Sequence, residues 1–246
     1  MTTFSEQYAQ MYDNFHELRD IQEESKRLIE KINEYIGHDK ITVGLDLGCG
    51  TGKQAEQLIR MGLNIYVSDT STFMLDIASK RLGAEKIFSE GIRDELVFDF
   101  IYSMFDVVSY QSTIERFEEF LVPVNRHLHK GGIFIFDGWY LPGYLLDPPR
   151  RSVRSFFFNN KEFLREVNPL KIGKDGVTEL DITLIDFELS TLVHRETHIL
   201  RAYTRNEVRK ALANKGFEIC EFKNGDEWSE EITSNSWRFF CIARKL

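Results

Sequence analysis

The residues most able to do chemistry lie in Val43-Gly44-Leu45-Asp46-Leu47-Gly48-Cys49-Gly50-Thr51-Gly52, where a short apolar run meets a cluster of glycines. Glycines adopt positive φ freely and let a ligand approach the backbone closely. A strand ending in such a turn before a helix is where open α/β sheets bind ligands; a tight turn that holds nothing is the plainer alternative. Spacing separates the ligand classes. A dinucleotide fingerprint needs G-x-G-x-x-G, but Gly52 comes one residue early and Lys53 stands in the required place. A P-loop ends in G-K-[ST], and Gly52-Lys53-Gln54 lacks the hydroxyl that binds magnesium. Both nucleotide readings fail on spacing. His194 and His198 lie four apart, and His127 and His129 two apart, without carboxylate or cysteine partners at ligand spacing, so no metal site is expected.

Alternating elements must position this loop. Apolar residues at 18, 21, 28, 29, 32, 35 and 36 form a helical stripe over Leu18–Ile36, part of an N-terminal helical cap over residues 1–38. Val43–Leu47 and Leu63–Val67 read as buried strands, with helical spacing at Ala55, Leu58, Ile59 and Met61 between them and Gly62 as a stop. Phe73–Leu82 reads as a helix after Ser71–Thr72, and further strands are expected at Ile87–Phe88, Val97–Met104 and Ile133–Phe136. A helix with apolar positions 114, 117, 120, 121, 124 and 128 precedes the last of these. This alternation indicates a Rossmann-like, doubly wound α/β fold with a mostly parallel sheet covered on both faces. Beyond Asp137 the texture changes to prolines and aromatics, then to alternation over 177–200, which suggests antiparallel strands. Thr204-Arg205-Asn206-Glu207 is a capping box, and Phe217–Phe222 with Trp237–Ala243 form a closing antiparallel pair. One domain over 1–246 with a β-containing insertion at about 138–200 is the simplest organisation.

Composition limits the partners. The 246 residues carry 31 basic and 39 acidic side chains for a formal charge of −8, a sign that repels phosphate backbones, so nucleic acid is not expected as a partner. Three scattered cysteines, Cys49, Cys220 and Cys241, fit a reducing compartment. The polar N-terminus has no basic start or apolar run, and no segment approaches the ~18 apolar residues of a membrane span. A soluble cytoplasmic protein with no membrane partner is expected; the oligomeric state is left open, a homodimer being one option.

The Asp46–Gly52 stretch fits the D-x-G-x-G-x-G signature of class I S-adenosylmethionine-dependent methyltransferases, which the chain resembles over nearly its whole length. The resemblance implies S-adenosylmethionine as cofactor. Asp46 would face its ammonium, and Gly48, Cys49 and Gly50 would pass beneath it. Asp69 would take both ribose hydroxyls, a task for which a carboxylate offers acceptors only, and the adjacent Thr70 is a further cofactor contact. Met74 would pack on adenine, plain helix core being its other reading, and Ser103 would lie at the end of the fourth strand by the cofactor. Ser89-Glu90-Gly91-Ile92-Arg93-Asp94 departs from the family's Gly-Asp pattern, with glycine in the usual Asp place, which leaves the Ile92 backbone and apolar contacts to hold adenine.

At finer grain the chain resembles bacterial N,N-dimethyltransferases of nucleotide-linked amino sugars, through Met11-Tyr12-Asp13, Ser103-Met104-Phe105 and Asp137-Gly138-Trp139-Tyr140-Leu141-Pro142. That likeness implies a small-molecule substrate beneath a lid formed by 138–200. It makes Tyr12, Tyr110 and Asp137 the catalytic candidates and Trp139 and Tyr140 substrate contacts; Arg238, bordering the pocket, is a further expected substrate contact. Tyr110 stands where the family has a histidine near the acceptor amine. An amine acceptor needs mainly alignment, whereas a hydroxyl needs a base. Asp137 is a candidate base or a loop cap, and Arg150, Arg151 and Arg154 are phosphate clamps or solvated cations. A hydroxyl acceptor, or binding of the cofactor without catalysis, are the competing functions.

Overall fold

The computed structural model describes residues 4–37, 42–89, 92 and 96–246. Helices α1 (Glu6–Phe15) and α2 (Ile21–Ile36) come first. The start of α2 falls three residues later than the apolar stripe implies. The Asp20 side chain caps it by accepting the Glu23 N–H, and Leu18 stays 94% exposed. Then follow β1 (Val43–Leu47), α3 (Lys53–Arg60), β2 (Asn64–Ser68), α4 (Thr72–Leu82), β3 (Ile87–Phe88) and β4 (Phe98–Ser103). After α5 (Ile114–His127) and β5 (Leu128–Trp139) a short α6 (Leu141–Leu146) leads into a second sheet. That sheet comprises β6 (Ser152–Phe158), β7 (Lys161–Ile172), β8 (Val177–Asp186) and β9 (Thr191–Arg201), and α7 (Arg205–Asn214), β10 (Phe217–Asn224) and β11 (Arg238–Lys245) close the chain.

The main sheet has the order β10-β11-β5-β4-β1-β2-β3. All its neighbours are parallel except that β11 runs antiparallel to both β5 and β10, as expected of a Rossmann-like sheet with a C-terminal reversal. Two apolar layers cover its faces. Leu28, Ile32, Ala55 and Leu58 bring α2 and α3 onto one face, and Phe117, Leu121, Val208 and Leu212 bring α5 and α7 onto the other. Each such fully buried Leu, Ile or Phe contributes about 1.5–3 kcal/mol. The Thr204–Glu207 capping box is present at α7 in both directions.

The second sheet is an antiparallel meander, and it begins earlier than alternation over 177–200 suggests. Asn159 and Asn160, both at positive φ, make the two-residue turn between β6 and β7. Pro169, which argues against a strand in a bare sequence, sits at a register shift in β7, beyond the last β6 pair at Val167.

At the centre of the main sheet Gly44 lies against the Phe100 ring. A Cβ at Gly44 would meet Phe100 Cζ at 2.2 Å. Gly44→Ala is therefore expected to lower unfolding stability by about 1–3 kcal/mol through overpacking. Denaturant titration checks it; an unchanged midpoint would show that Phe100 moves aside freely.

Candidate active site

A cavity of about 940 Å³ opens at the carboxyl ends of β1, β2, β3 and β4. Its opposite wall is made by Phe4, Tyr8 and Tyr12 on the α1 side and by Arg165, Leu180, Ile182, His198 and Leu200 of the second sheet. Helix α1 is fastened to the glycine loop: Asp13 accepts from Thr51 Oγ1 at 2.6 Å and pairs with Arg81 at 2.6 Å, and Arg81 also donates to the Thr51 carbonyl.

The loop owes its shape to glycine. Gly48, Gly50 and Gly52 have φ of 85°, 55° and 75°. At Gly50 a Cβ would meet nothing nearer than Tyr12 Cε1 at 3.9 Å, so the bare backbone faces the cavity beneath the Tyr12 ring. The Gly48 and Cys49 amides donate to Ser68 O, and the Gly50 amide donates to Asp69 Oδ2 at 2.8 Å. Asp69 Oδ1 accepts from Ser71 N at 2.9 Å. Two amides leave further lone pairs on that carboxylate for a ligand's hydroxyls.

Asp46 is the unsatisfied group. It is 4% exposed and has no ion pair among the described residues. Burial pushes its carboxyl up to about 7, a rise opposed by the neighbouring Tyr102 hydroxyl and increased by repulsion from Asp69. The fully buried Tyr102 hydroxyl finds no well-formed hydrogen bond, and Gln54 Nε2 on the same cavity wall is also unpartnered. A buried carboxylate with no ion-pair partner among the described residues fits a ligand carrying an ammonium, and bare glycine backbone beside a second carboxylate fits a ribose. The donor set therefore suits S-adenosylmethionine.

The other expected residues divide into two groups. Tyr12, Asp46, Gly48, Cys49, Gly50, Asp69, Thr70, Met74, Tyr110 and Trp139 all line the cavity. Met74 is 1% exposed and belongs to an apolar cluster with Tyr8 and Phe156, so it fills core and faces the cavity at once. Burial, with Asp46 and Asp69 nearby, holds the Cys49 thiol well above its ordinary value. Ile92 packs on the main core and Ser103 Oγ donates to Leu47 O at 2.6 Å, both away from the cavity wall. Glu90, Gly91, Arg93 and Asp94 lie outside the described residues. Tyr140 packs on Phe222 with centroids 6.2 Å apart, behind Trp139.

Asp137 and Arg238 also lie off the main cavity, beside a smaller one of about 170 Å³. Arg238 pairs with Asp137 and, at 3.0 Å, with Asp106, while Asp137 Oδ1 accepts the Asp106 N–H at 2.8 Å. These contacts brace a turn in which Phe105 and Asp106 both have positive φ, a costly conformation for side-chain-bearing residues. Phe105 and Asp106 line the main cavity, so Asp137 and Arg238 support its wall from behind. Arg150 and Arg151 pair with Asp147 and Glu166, and neither they nor Arg154 lines the cavity.

Two cavity residues, Arg165 and His198, were given no site role by the sequence reading. Arg165 lines the wall with no carboxylate partner among the described residues; its Nη2 touches Tyr8 Oη at 3.2 Å and its buried Nε has no acceptor. His198 hydrogen-bonds Tyr110 Oη at 2.7 Å, and Glu196 lies between His198 and His194. Spacing i, i+2, i+4 on β9 puts His194, Glu196 and His198 on one face, which was the available signal. His127 instead bonds the Leu96 carbonyl, and His129 is exposed. Among the described residues no group of three potential ligands is placed to hold a metal, and no helix is long and apolar enough to cross a membrane.

Residues 45–136 match the family described as a methyltransferase domain. A dTDP-3-amino-3,4,6-trideoxy-alpha-D-glucopyranose N,N-dimethyltransferase of Streptomyces venezuelae is 29% identical over 190 residues, covering 74% of this chain and 77% of that one. An S-adenosylmethionine-dependent methyltransferase from Clostridium acetobutylicum has the same fold, with a TM-score of 0.78 at 20% identity over 97% of this chain and 98% of its own. A sugar N-methyltransferase from Streptoalloteichus gives 0.76 at 19% identity over 100% and 97%. The matched segment and the fold are those of S-adenosylmethionine-dependent methyltransferases.

The raised Asp46 pKa has a measurable consequence. The free protein holds a proton on Asp46 up to about pH 7, and a bound ammonium favours the ionised form, so binding releases that proton. Cofactor affinity is therefore expected to rise as pH increases through Asp46's titration and to level off above about 7. Calorimetry across pH checks this; Asp46→Asn should weaken binding and flatten the rise, and an unaltered pH profile in that variant would remove Asp46 from the site.

Proposed function

We propose that this chain methylates the amine of a nucleotide-linked amino sugar. The observation that carries the reading is the state imposed on a basic nitrogen at the aromatic end of the cavity. Burial, with the positive charges of Arg165 and Arg19, lowers His16 to about 3. Such surroundings favour the unprotonated, nucleophilic form of an acceptor amine. The His16 ring stands 4.7 Å from the Tyr12 ring and 4.9 Å from that of Phe105.

S-adenosylmethionine, when bound, supplies an electrophilic methyl on a sulfonium. The chain's own groups orient the two partners. Asp46 takes the ammonium, Asp69 with Thr70 the ribose hydroxyls, the Gly48–Gly50 backbone the body of the cofactor, and Met74 with Phe88 the adenine side. Tyr12 covers the glycine loop, and Tyr110 and Trp139 bound the acceptor. The second sheet and α1 act as the lid of one methyltransferase unit. Alignment within this enclosure accounts for much of the rate that an amine acceptor requires.

Arg165 supports the nucleotide-linked part of the reading. A cation without a carboxylate partner on the acceptor side suits a phosphate, and a guanidinium binds phosphate through paired N–H groups. The amino-sugar relatives, by their names, act on such molecules.

The test is incubation with S-adenosylmethionine and a panel of nucleotide-linked sugars bearing either an amine or only hydroxyls, with mass detection of products. Methylation of amino sugars alone is expected, and methylation of the hydroxyl set alone would overturn the reading. Arg165→Leu should raise the acceptor KM by about 10–100-fold, the equivalent of one charged hydrogen bond of about 1.5–3 kcal/mol, with cofactor affinity unchanged.

A further inference from the structure

Behind the acceptor end of the cavity three polar side chains stand in line. Tyr110 Oη lies 2.7 Å from His198 Nδ1, and His198 Nε2 faces Glu196 Oε1. Tyr110 and His198 line the cavity; His198 is 1% exposed and Glu196 3%. Glu196 is held further by His194 Nε2 at 3.0 Å and by the Phe4 and Ser5 amides at 3.4 Å each. We propose that Tyr110, His198 and Glu196 form a proton relay that removes the acceptor's proton during methyl transfer, an assignment that rests on the methyl-transfer reading of the cavity.

The direction of the hydrogen bonds follows from which groups can donate. Burial works against the Glu196 charge, but hydrogen bonds from His198, His194 and the Ser5 amide hold its carboxyl below the ordinary range, so it is an acceptor only. His198 Nε2 must then carry the ring proton and Nδ1 must be bare. Tyr110 accordingly donates its hydroxyl proton to Nδ1, which leaves the phenolic oxygen with lone pairs for a donor in the cavity. Burial keeps the Tyr110 phenol well above its ordinary value, so it works as a neutral hydroxyl that passes a proton on.

The step balances. The acceptor nitrogen forms a bond to the methyl carbon as the carbon–sulfur bond breaks, its electron pair staying on sulfur. The acceptor, now positively charged, gives one N–H proton to Tyr110 Oη while Tyr110's own proton moves to His198 Nδ1. The positive charge that leaves sulfur ends on a His198 imidazolium beside the Glu196 carboxylate. A carboxylate placed to stabilise a developing imidazolium follows the logic of the Ser-His-Asp triad, with a tyrosine in the serine's place as proton carrier. Tyr110 is the catalytic residue; His198 and Glu196 act through it.

Two readouts test the relay. In the free protein, ¹⁵N NMR of His198 is expected to show the Nε2–H tautomer, and Glu196→Gln should disturb it; an Nδ1–H tautomer in the wild type would overturn the proposal without any turnover assay. His198→Asn offers Tyr110 an acceptor near the Nδ1 position but cannot carry a proton. It should lower kcat by about 100-fold or more, the usual scale of general acid–base catalysis, with acceptor KM and cofactor affinity nearly unchanged, and Tyr110→Phe should do the same. Wild-type turnover with kcat unaltered in both variants would overturn the relay. No methylated product from the wild type on any acceptor would instead overturn the function on which it rests.

Discussion

Asp46 and Asp69 end adjacent parallel strands and face the same cavity, and neither has a cationic partner among the described residues. The sheet brings two like charges into a buried place, and burial raises the pKa of both carboxyls. An uncompensated buried charge is costly, so the site gains most from a ligand that carries positive charge. The other features of the cavity follow from that constraint. The glycine loop gives its amide to Asp69 and keeps bare backbone toward the cavity, and Asp13 and Arg81 fasten α1 across it. A nicotinamide dinucleotide would bring two phosphates toward Asp46, which is the electrostatic counterpart of the failed G-x-G-x-x-G spacing.

The opposite end of the cavity has the reverse character. Arg165 lies there with a ring of aromatics, and burial, with Arg165 and the Glu24-paired Arg19 nearby, holds His16 neutral. Carboxylates stand at the strand ends, and Arg165 of the second sheet brings a positive charge to the facing wall of the same enclosure. Asp137 and Arg238, chosen from the sequence as site residues, support this enclosure from outside the cavity by bracing the turn at Phe105 and Asp106. The net charge of −8 gave no hint of Arg165 in the cavity wall, because a sum over the surface does not register one guanidinium without an ion-pair partner among the described residues.

What could be read from the chain was whatever is written locally. Asp46 to Gly52, the Ser71 cap, and the Thr204–Glu207 box each lie within a few residues, and each has its expected form. The parallel sheet was legible for the same reason, since apolar runs and helical stripes are short-range patterns. The β6–β7 hairpin was not: Asn159-Asn160 is a weaker turn signal than Asn-Gly, and Pro169 disguises β7. The relay was hidden by distance, with Tyr110 and His198 88 residues apart. Histidines tested against metal-ligand spacing gave no site, while the useful spacing, a carboxylate between two histidines on one strand face, belongs to hydrogen bonding. Asp137 was ambiguous because a strand-end acid serves equally as base or brace until its partners are known.

The central claim is that the cavity is built around a cationic, ribose-bearing methyl donor, and calorimetry on metal-free protein tests it most directly. S-adenosylmethionine and its demethylated product are expected to bind in the micromolar range, with no matching response to NAD or ATP. Tight binding of NAD with none of the sulfonium compound would contradict the account at its base.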